Sequence, residues 1–174
     1  MPNTAFVALL RAVNVGGTGK LPMQELKAMC EKLGFAKVQT YIASGNVVFQ
    51  SAKSEKAVKV ALEDALQKYA GKPVGVMVRT ASEMEKALLA NPFPSAPPSK
   101  TVAIFLDESP PRDTLKTITG SAGEEVRLGQ REIYVYYPES VHMARSKLKI
   151  PAAKNGTARN MNTVAKLAKM AAEL

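Results

Sequence analysis

Apolar positions in residues 1–90 predict six elements in a familiar order. The apolar run Thr4–Leu10 predicts a strand buried on both faces, and Pro73–Arg79 predicts another strand. Between them the pattern predicts a helix from Pro22 to Gly34, strands at Val38–Ala43 and Val47–Gln50, and a helix capped by Ser54 and ended by Gly71. Strand, helix, strand, strand, helix, strand is the order of a split β-α-β, ferredoxin-like unit, whose antiparallel sheet carries both helices on one face.

The pattern restarts after a proline-rich connector. A short helix is predicted at Ser82–Ala90, and the four prolines of Asn91–Lys100 then favour a stiff, extended boundary. Later elements are a strand at Thr101–Leu106, a helix at Arg112–Thr119, strands at Glu125–Leu128 and Glu132–Tyr137, a helix at Ser140–Lys149 and a last helix from about Asn162 to Leu174. The sequence therefore predicts an α+β protein with a ferredoxin-like unit at 1–90, the connector at 91–100, and a second, incomplete ferredoxin-like half with a C-terminal helix at 101–174.

Composition excludes several classes of protein. An apolar fraction of 46% in 174 residues is enough for a packed core, and a single cysteine excludes a disulfide scaffold. No apolar run reaches the roughly 18 residues that a membrane helix needs. Thr4–Leu10 follows no basic stretch, so a buried strand is favoured over a signal peptide, and we expect a cytoplasmic protein.

Positive charge is concentrated near the C-terminus. The chain has 24 basic and 15 acidic residues, for a net charge of +9. Ser140–Leu174 holds seven basic residues and one acidic residue, so six of the nine net charges lie there. Such a field attracts phosphorylated small molecules or nucleic acid. The alternative is that the late lysines only complement a helix dipole.

A glycine-rich loop joins the first strand to the first helix. It contains Arg11, Asn14, Gly16, Gly17 and Lys20. Backbone N–H groups of such a loop can converge on an anion beside a helix N-terminus. The loop is not a true phosphate-binding P-loop, because Asn14 stands in place of its first glycine and Leu21 in place of its magnesium-binding serine or threonine. A simple glycine-rich connection is the alternative.

Two further polar segments are candidates for the same site. Ser44, Gly45 and Asn46 form the tip of the predicted hairpin, and antiparallel pairing of the first and third strands would bring this tip close to Arg11. Lys154–Thr163 is rich in amides, hydroxyls and cations and comes directly before the last helix. Asn160 or Asn162 can cap that helix, whereas Arg159 suits a bidentate grip on phosphate or carboxylate.

Other reactive residue types give weaker signals. Cys30 falls on the apolar face of a helix, which favours a core position over a nucleophile. His142 is the only histidine, and no Cys/His cluster has zinc spacing, so no metal and no cofactor is predicted. Tyr134 and Tyr136 share one face of a strand and Tyr137 takes the other, so one face must be core.

Several stretches together resemble the bacterial family called domain of unknown function 1697. They are Ala8–Gly17 (ALLRAVNVGG), the helix end Leu33-Gly34-Phe35, Thr40–Phe49 (TYIASGNVVF) and Thr157–Thr163 (TARNMNT). The resemblance implies paired ferredoxin-like halves and carries no established activity. Ala12 replaces the family's usual glycine, and Met161 replaces its usual tryptophan. The matching residues, predicted to line one site, are Arg11, Asn14, Gly16, Gly17, Ser44, Gly45, Asn46, Arg159, Asn160 and Thr163.

Three functions remain open from the sequence. The first is a binding protein for a phosphate-bearing ligand, nucleic acid included. The second is an enzyme for a small anionic substrate, with Arg11, Lys20 and Arg159 holding charge, although no histidine or carboxylate pair is placed to move protons. The third is a structural or oligomerising module that associates through sheet edges or faces.

Overall fold

The computed structural model describes residues 3–12 and 20–174, and in them the α+β prediction is confirmed. The α-helices are α1 (Met23–Lys32), α2 (Glu55–Ala70), α3 (Ala81–Leu89) and α4 (Met161–Ala172). The strands are β1 (Thr4–Leu10), β2 (Ala36–Tyr41), β3 (Asn46–Ser51), β4 (Val76–Thr80), β5 (Thr101–Phe105), β6 (Glu125–Leu128), β7 (Glu132–Tyr136) and β8 (Thr157–Asn160). They form two antiparallel sheets with the orders β2-β3-β1-β4 and β6-β7-β5-β8.

The chain divides into two compact units. Unit 1 is Met1–Glu85 with Lys166–Leu174, and unit 2 is Lys86–Ala165. None of the helices in the described part of the chain is long and apolar enough to cross a membrane.

In unit 1, both helices pack on one face of the sheet, as the element order predicts. Leu26 and Cys30 of α1 and the stripe Val58, Leu62 and Leu66 of α2 share a core with alternate residues of the strands. The stripe arises because its members recur at helical spacing. The helix ends also follow the sequence, since Ser54 Oγ accepts a hydrogen bond from the Ala57 N–H at 3.1 Å.

The opposite face of this sheet is buried as well. Val7 and Leu9 of β1, Val48 of β3 and Met77 of β4 are all almost inaccessible to solvent. The continuous apolar run that predicted β1 therefore reflects a strand covered on both sides.

In unit 2, the second sheet has four strands, whereas the sequence predicted an incomplete half with three. Its fourth strand, β8, lies in the polar segment that the sequence left without an element. Three of its four side chains are polar, so the sequence has no alternation of apolar and polar residues that would predict a strand. The strand forms because its backbone pairs with β5.

Of the three helices predicted for residues 101–174, the last one forms as α4, but the other two were wrong. Arg112–Thr119 forms only a 3₁₀ turn at Thr114–Thr117, in a segment rich in β-branched threonine that follows two prolines. Ser140–Lys149 contains a 3₁₀ turn at Met143–Arg145 and then runs extended. Its end alternates basic and apolar residues, and Pro151 keeps Ile150 out of helical angles.

The hairpin between β2 and β3 also differs from its prediction. Tyr41 pairs with Asn46, so the connection is the four residues 42–45 and Asn46 begins the strand. Ile42 has a φ of 49° and Gly45 a φ of 89°. These two left-handed residues turn the chain, whereas the sequence predicted that Ser44, Gly45 and Asn46 form the tip.

Two glycines with the same backbone angle provide a test of close packing. Gly71 and Gly120 both have a φ of 74°, but an added Cβ meets nothing at Gly71 and would lie 2.0 Å from the Lys147 carbonyl oxygen at Gly120. Gly71→Ala should lower the free energy of unfolding by about 1–2 kcal/mol, because alanine is strained in the left-handed conformation. Gly120→Ala should lower it by about 1–3 kcal/mol more than Gly71→Ala does, because the backbone at Gly120 or Lys147 must move to make room for the methyl group. Urea unfolding followed by circular dichroism measures both, and equal losses of stability would contradict the close approach.

Candidate anion-binding site

The end of β1 lies beside the turn that leads into β3. Leu9 pairs with Asn46, and the Leu10 N–H donates to the Gly45 carbonyl at 2.8 Å. On the other side the Arg11 N–H donates to the Gly75 carbonyl at 2.9 Å. The chain therefore leaves the sheet with Arg11 held between the 42–45 turn and the start of β4.

Asn46 fixes the shape of the turn. Its side chain is fully buried, and Nδ2 donates to the Tyr41 carbonyl at 2.9 Å and to Ser44 Oγ at 2.8 Å. Gly45 is buried too, whereas Ser44 is partly exposed. Asn46 and Gly45 thus position the turn, and Ser44 is the partly exposed member of the predicted trio, with its Oγ accepting from Asn46.

Arg11 and Lys20 are exposed. An added Cβ at Gly75 would lie 3.7 Å from Arg11 Cβ and 3.8 Å from Cδ, so the stem of the arginine runs alongside the bare glycine backbone. Ala12 follows with a φ of 55°, which explains the glycine that the resembled family usually has there. Asn14, Gly16 and Gly17 lie outside the described residues.

Arg159 is not a surface residue. It lies on β8 opposite Ala103 and is 7% exposed. One guanidinium nitrogen, Nη1, donates to Thr157 Oγ1 at 2.7 Å and to the Ala158 carbonyl at 2.9 Å. Burial lowers the pKa of Arg159 to about 10, so the group stays charged near neutral pH.

Asn160 and Thr163 are explained by helix capping. Asn160 Oδ1 accepts a hydrogen bond from the Thr163 N–H at 2.9 Å, which satisfies a free donor at the start of α4. Thr163 is buried, and so is Met161, at the position where the resembled family usually has tryptophan. These residues build a strand-to-helix junction.

A second buried arginine, Arg79, was not among the predicted site residues. Arg79 pairs with Val7 as Arg159 pairs with Ala103, and its Nη1 donates to the preceding carbonyl, of Val78, at 3.0 Å. Thr80 then caps α3 by exchanging hydrogen bonds with Glu83, as Asn160 caps α4. The signal in the sequence was an arginine one residue before a helix cap, occurring twice in the chain.

The predicted site residues thus fall into two local groups. Arg11, Ser44, Gly45 and Asn46 come together in unit 1, and Arg159, Asn160 and Thr163 come together in unit 2. We call the first group, with Gly75, the β1 corner. Its exposed guanidinium and partly exposed hydroxyl suit an oxyanion.

Other chemistry finds little support among the described residues. Cys30 is buried in the core of unit 1, and burial raises the pKa of its thiol to about 12. In residues 3–12 and 20–174, no group of three or more histidine, cysteine, aspartate or glutamate side chains is arranged to hold a metal ion. Tyr134 is buried, and its hydroxyl donates to the Ala87 carbonyl at 2.6 Å.

Comparisons with known proteins show a family and a fold. The family described as "Protein of unknown function (DUF1697)" matches residues 3–134. The fold is similar to that of a conserved bacterial protein, SP0830 from Streptococcus pneumoniae, with a TM-score of 0.80 at 24% identity over 98% of this chain and 99% of that one. No curated protein matches the sequence.

The structural role of Asn46 predicts a loss of stability on truncation. Asn46→Ala removes both donated hydrogen bonds and should lower the free energy of unfolding by about 1–3 kcal/mol. Ser44→Ala, the control, removes one of the two acceptors and should cost less. Chemical denaturation measures both changes, and an Asn46→Ala protein of unchanged stability would contradict this role.

Cys30 should be inert in the folded protein. With a pKa near 12 the thiol carries almost no thiolate at pH 8, and the side chain is inaccessible. A chromogenic disulfide reagent should label it only as fast as the protein unfolds, and fully in denaturant. Rapid labelling under native conditions would show that the thiol is exposed after all.

Proposed function

The chain belongs to the family of proteins of unknown function DUF1697, and we propose that it binds a phosphate-bearing anion at the β1 corner. Because the family has no established function, the proposal is argued from the residues of this chain. The observation that carries the proposal is the pairing of β1 with β3, which sets exposed Arg11 beside partly exposed Ser44.

The chemistry of the corner supports an oxyanion ligand. A guanidinium offers five donors in a planar fork, which matches phosphate better than a lysine does. Its stem lies against Gly75, so less side-chain freedom is lost when a ligand binds. Lys20 adds a second exposed cation at the far end of the glycine-rich segment.

The segment around Leu21 argues for binding rather than nucleotide hydrolysis. Leu21, which stands where a P-loop has its magnesium-binding hydroxyl, is packed in the core of unit 1. Its aliphatic side chain anchors the start of α1. The proposed site therefore holds an anion through Arg11, without that hydroxyl.

Replacing Arg11 tests the proposal. Arg11→Gln should weaken binding of inorganic phosphate and pyrophosphate at least tenfold, because it removes a charge-assisted hydrogen bond worth about 1.5–3 kcal/mol. Binding is measured by equilibrium dialysis and by the ligand-dependent rise in the unfolding midpoint. The matched control is Arg112→Gln, an exposed arginine of unit 2 whose replacement changes the net charge equally.

Two outcomes would reject this function. One is equal binding by the parent, Arg11→Gln and Arg112→Gln proteins. Any rise in the unfolding midpoint would then come from the general stabilising effect of phosphate salts and not from a site at Arg11. The other is equal weakening by the two variants, which would show that net charge, and not the β1 corner, attracts the anion.

A further inference from the structure

A short segment of unit 2, which begins at the last residue of a 3₁₀ turn and continues as extended chain, presents three cations. Within Arg145–Ile150 the exposed residues are Arg145, Lys147 and Lys149. The residues between and after them point the other way, since Leu148 and Ile150 pack against the core cluster of this unit. We call the three cations the basic ribbon.

The backbone of the ribbon is held on both sides. Lys149 and Thr119 exchange two backbone hydrogen bonds, of 2.8 and 3.1 Å. Gly120 lies so close to the Lys147 carbonyl that no side chain fits between them. Ser146 Oγ donates to the carboxylate of buried Glu124, and this hydrogen bond fixes the segment to the body of unit 2. The cations therefore project from a fixed support.

We infer that the basic ribbon binds the phosphate backbone of a single-stranded nucleic acid. Lys147 and Lys149 alternate along the extended part of the segment, where such residues lie about 6.6 Å apart on one side. That separation is comparable to the distance between successive phosphates of an extended strand, so each lysine can meet one phosphate, and exposed Arg145 at the end of the 3₁₀ turn can meet a third.

The composition of the ribbon separates this partner from a lipid surface. A membrane-binding segment places apolar side chains next to its cations, where they enter the bilayer. Here the apolar side chains, Leu148 and Ile150, face the protein core. Arg145–Ile150 contains no aromatic residue for base stacking, so binding to phosphates should dominate and base sequence should matter little.

This inference extends the phosphate chemistry of the proposed function to a polymer, at a surface in the other unit. Its test uses substitutions that leave the β1 corner untouched. Loss of one binding activity without the other therefore identifies which of the two proposals fails.

The experiment compares two triple variants of the full chain. One carries R145Q, K147Q and K149Q in the ribbon, and the control carries K27Q, K56Q and K68Q on α1 and α2 of unit 1. All six residues are exposed, and each triple lowers the net charge from +9 to +6. Fluorescence anisotropy with labelled 20-nucleotide single strands, one of deoxythymidine and one of mixed sequence, gives the affinity at several salt concentrations.

The parent and the control should bind both strands with similar affinity and steep salt dependence. The ribbon triple should bind at least tenfold more weakly. Its slope of log affinity against log salt should be shallower by about 2, because each of the three phosphates that it no longer neutralises accounts for about 0.7 of the slope. A variant with K147R and K149R should retain binding, since the charges remain.

Other results would overturn the inference. Equal weakening by the two triples would mean that overall charge attracts the strand, and no binding by the parent at low salt would remove the partner. Anionic phospholipid vesicles captured by the parent but not by the ribbon triple, with no binding of either oligonucleotide, would assign the ribbon to a membrane surface.

Discussion

Antiparallel pairing between the first and third strands of each sheet is the constraint on which the local geometry depends. This pairing joins β1 to β3 and β5 to β7, and one more hydrogen bond extends each ladder, from Leu10 to Gly45 and from Leu106 to Arg131. The residue that follows this last hydrogen-bonded leucine must therefore lie beside the turn before the third strand. In unit 1 that residue is Arg11, whereas in unit 2 it is Asp107, whose carbonyl accepts a hydrogen bond from Arg131 Nε.

The two sheets share more than strand order. Each carries a buried arginine on its last strand, and each guanidinium donates to the carbonyl of the residue before it. Burying a guanidinium is costly unless its donors are satisfied, so Arg79 and Arg159 need those local acceptors. The repeat that is faint in the sequence is clear in these hydrogen bonds, because register and burial are kept while most side chains differ.

Burial sorts the basic residues into different roles. Arg159 contributes to the net charge but is enclosed, whereas Arg145, Lys147 and Lys149 are exposed. The total of +9 describes long-range attraction and nothing more specific. Which cations can touch a partner depends on the backbone that carries them, as the alternation along Arg145–Ile150 illustrates.

By itself, the sequence determined the elements of unit 1, the α+β class and the neighbourhood of Arg11 and Ser44, because helical spacing, caps and strand order are local signals. Only the tertiary structure decided that β8 completes the second sheet, that Ser140–Lys149 forms a 3₁₀ turn and extended chain instead of an α-helix, and that Asn46 and Arg159 are enclosed. Pairing and burial depend on residues that are distant along the chain. A short polar segment such as Thr157–Asn160 therefore looks the same in sequence whether it is a surface loop or a buried edge of a sheet.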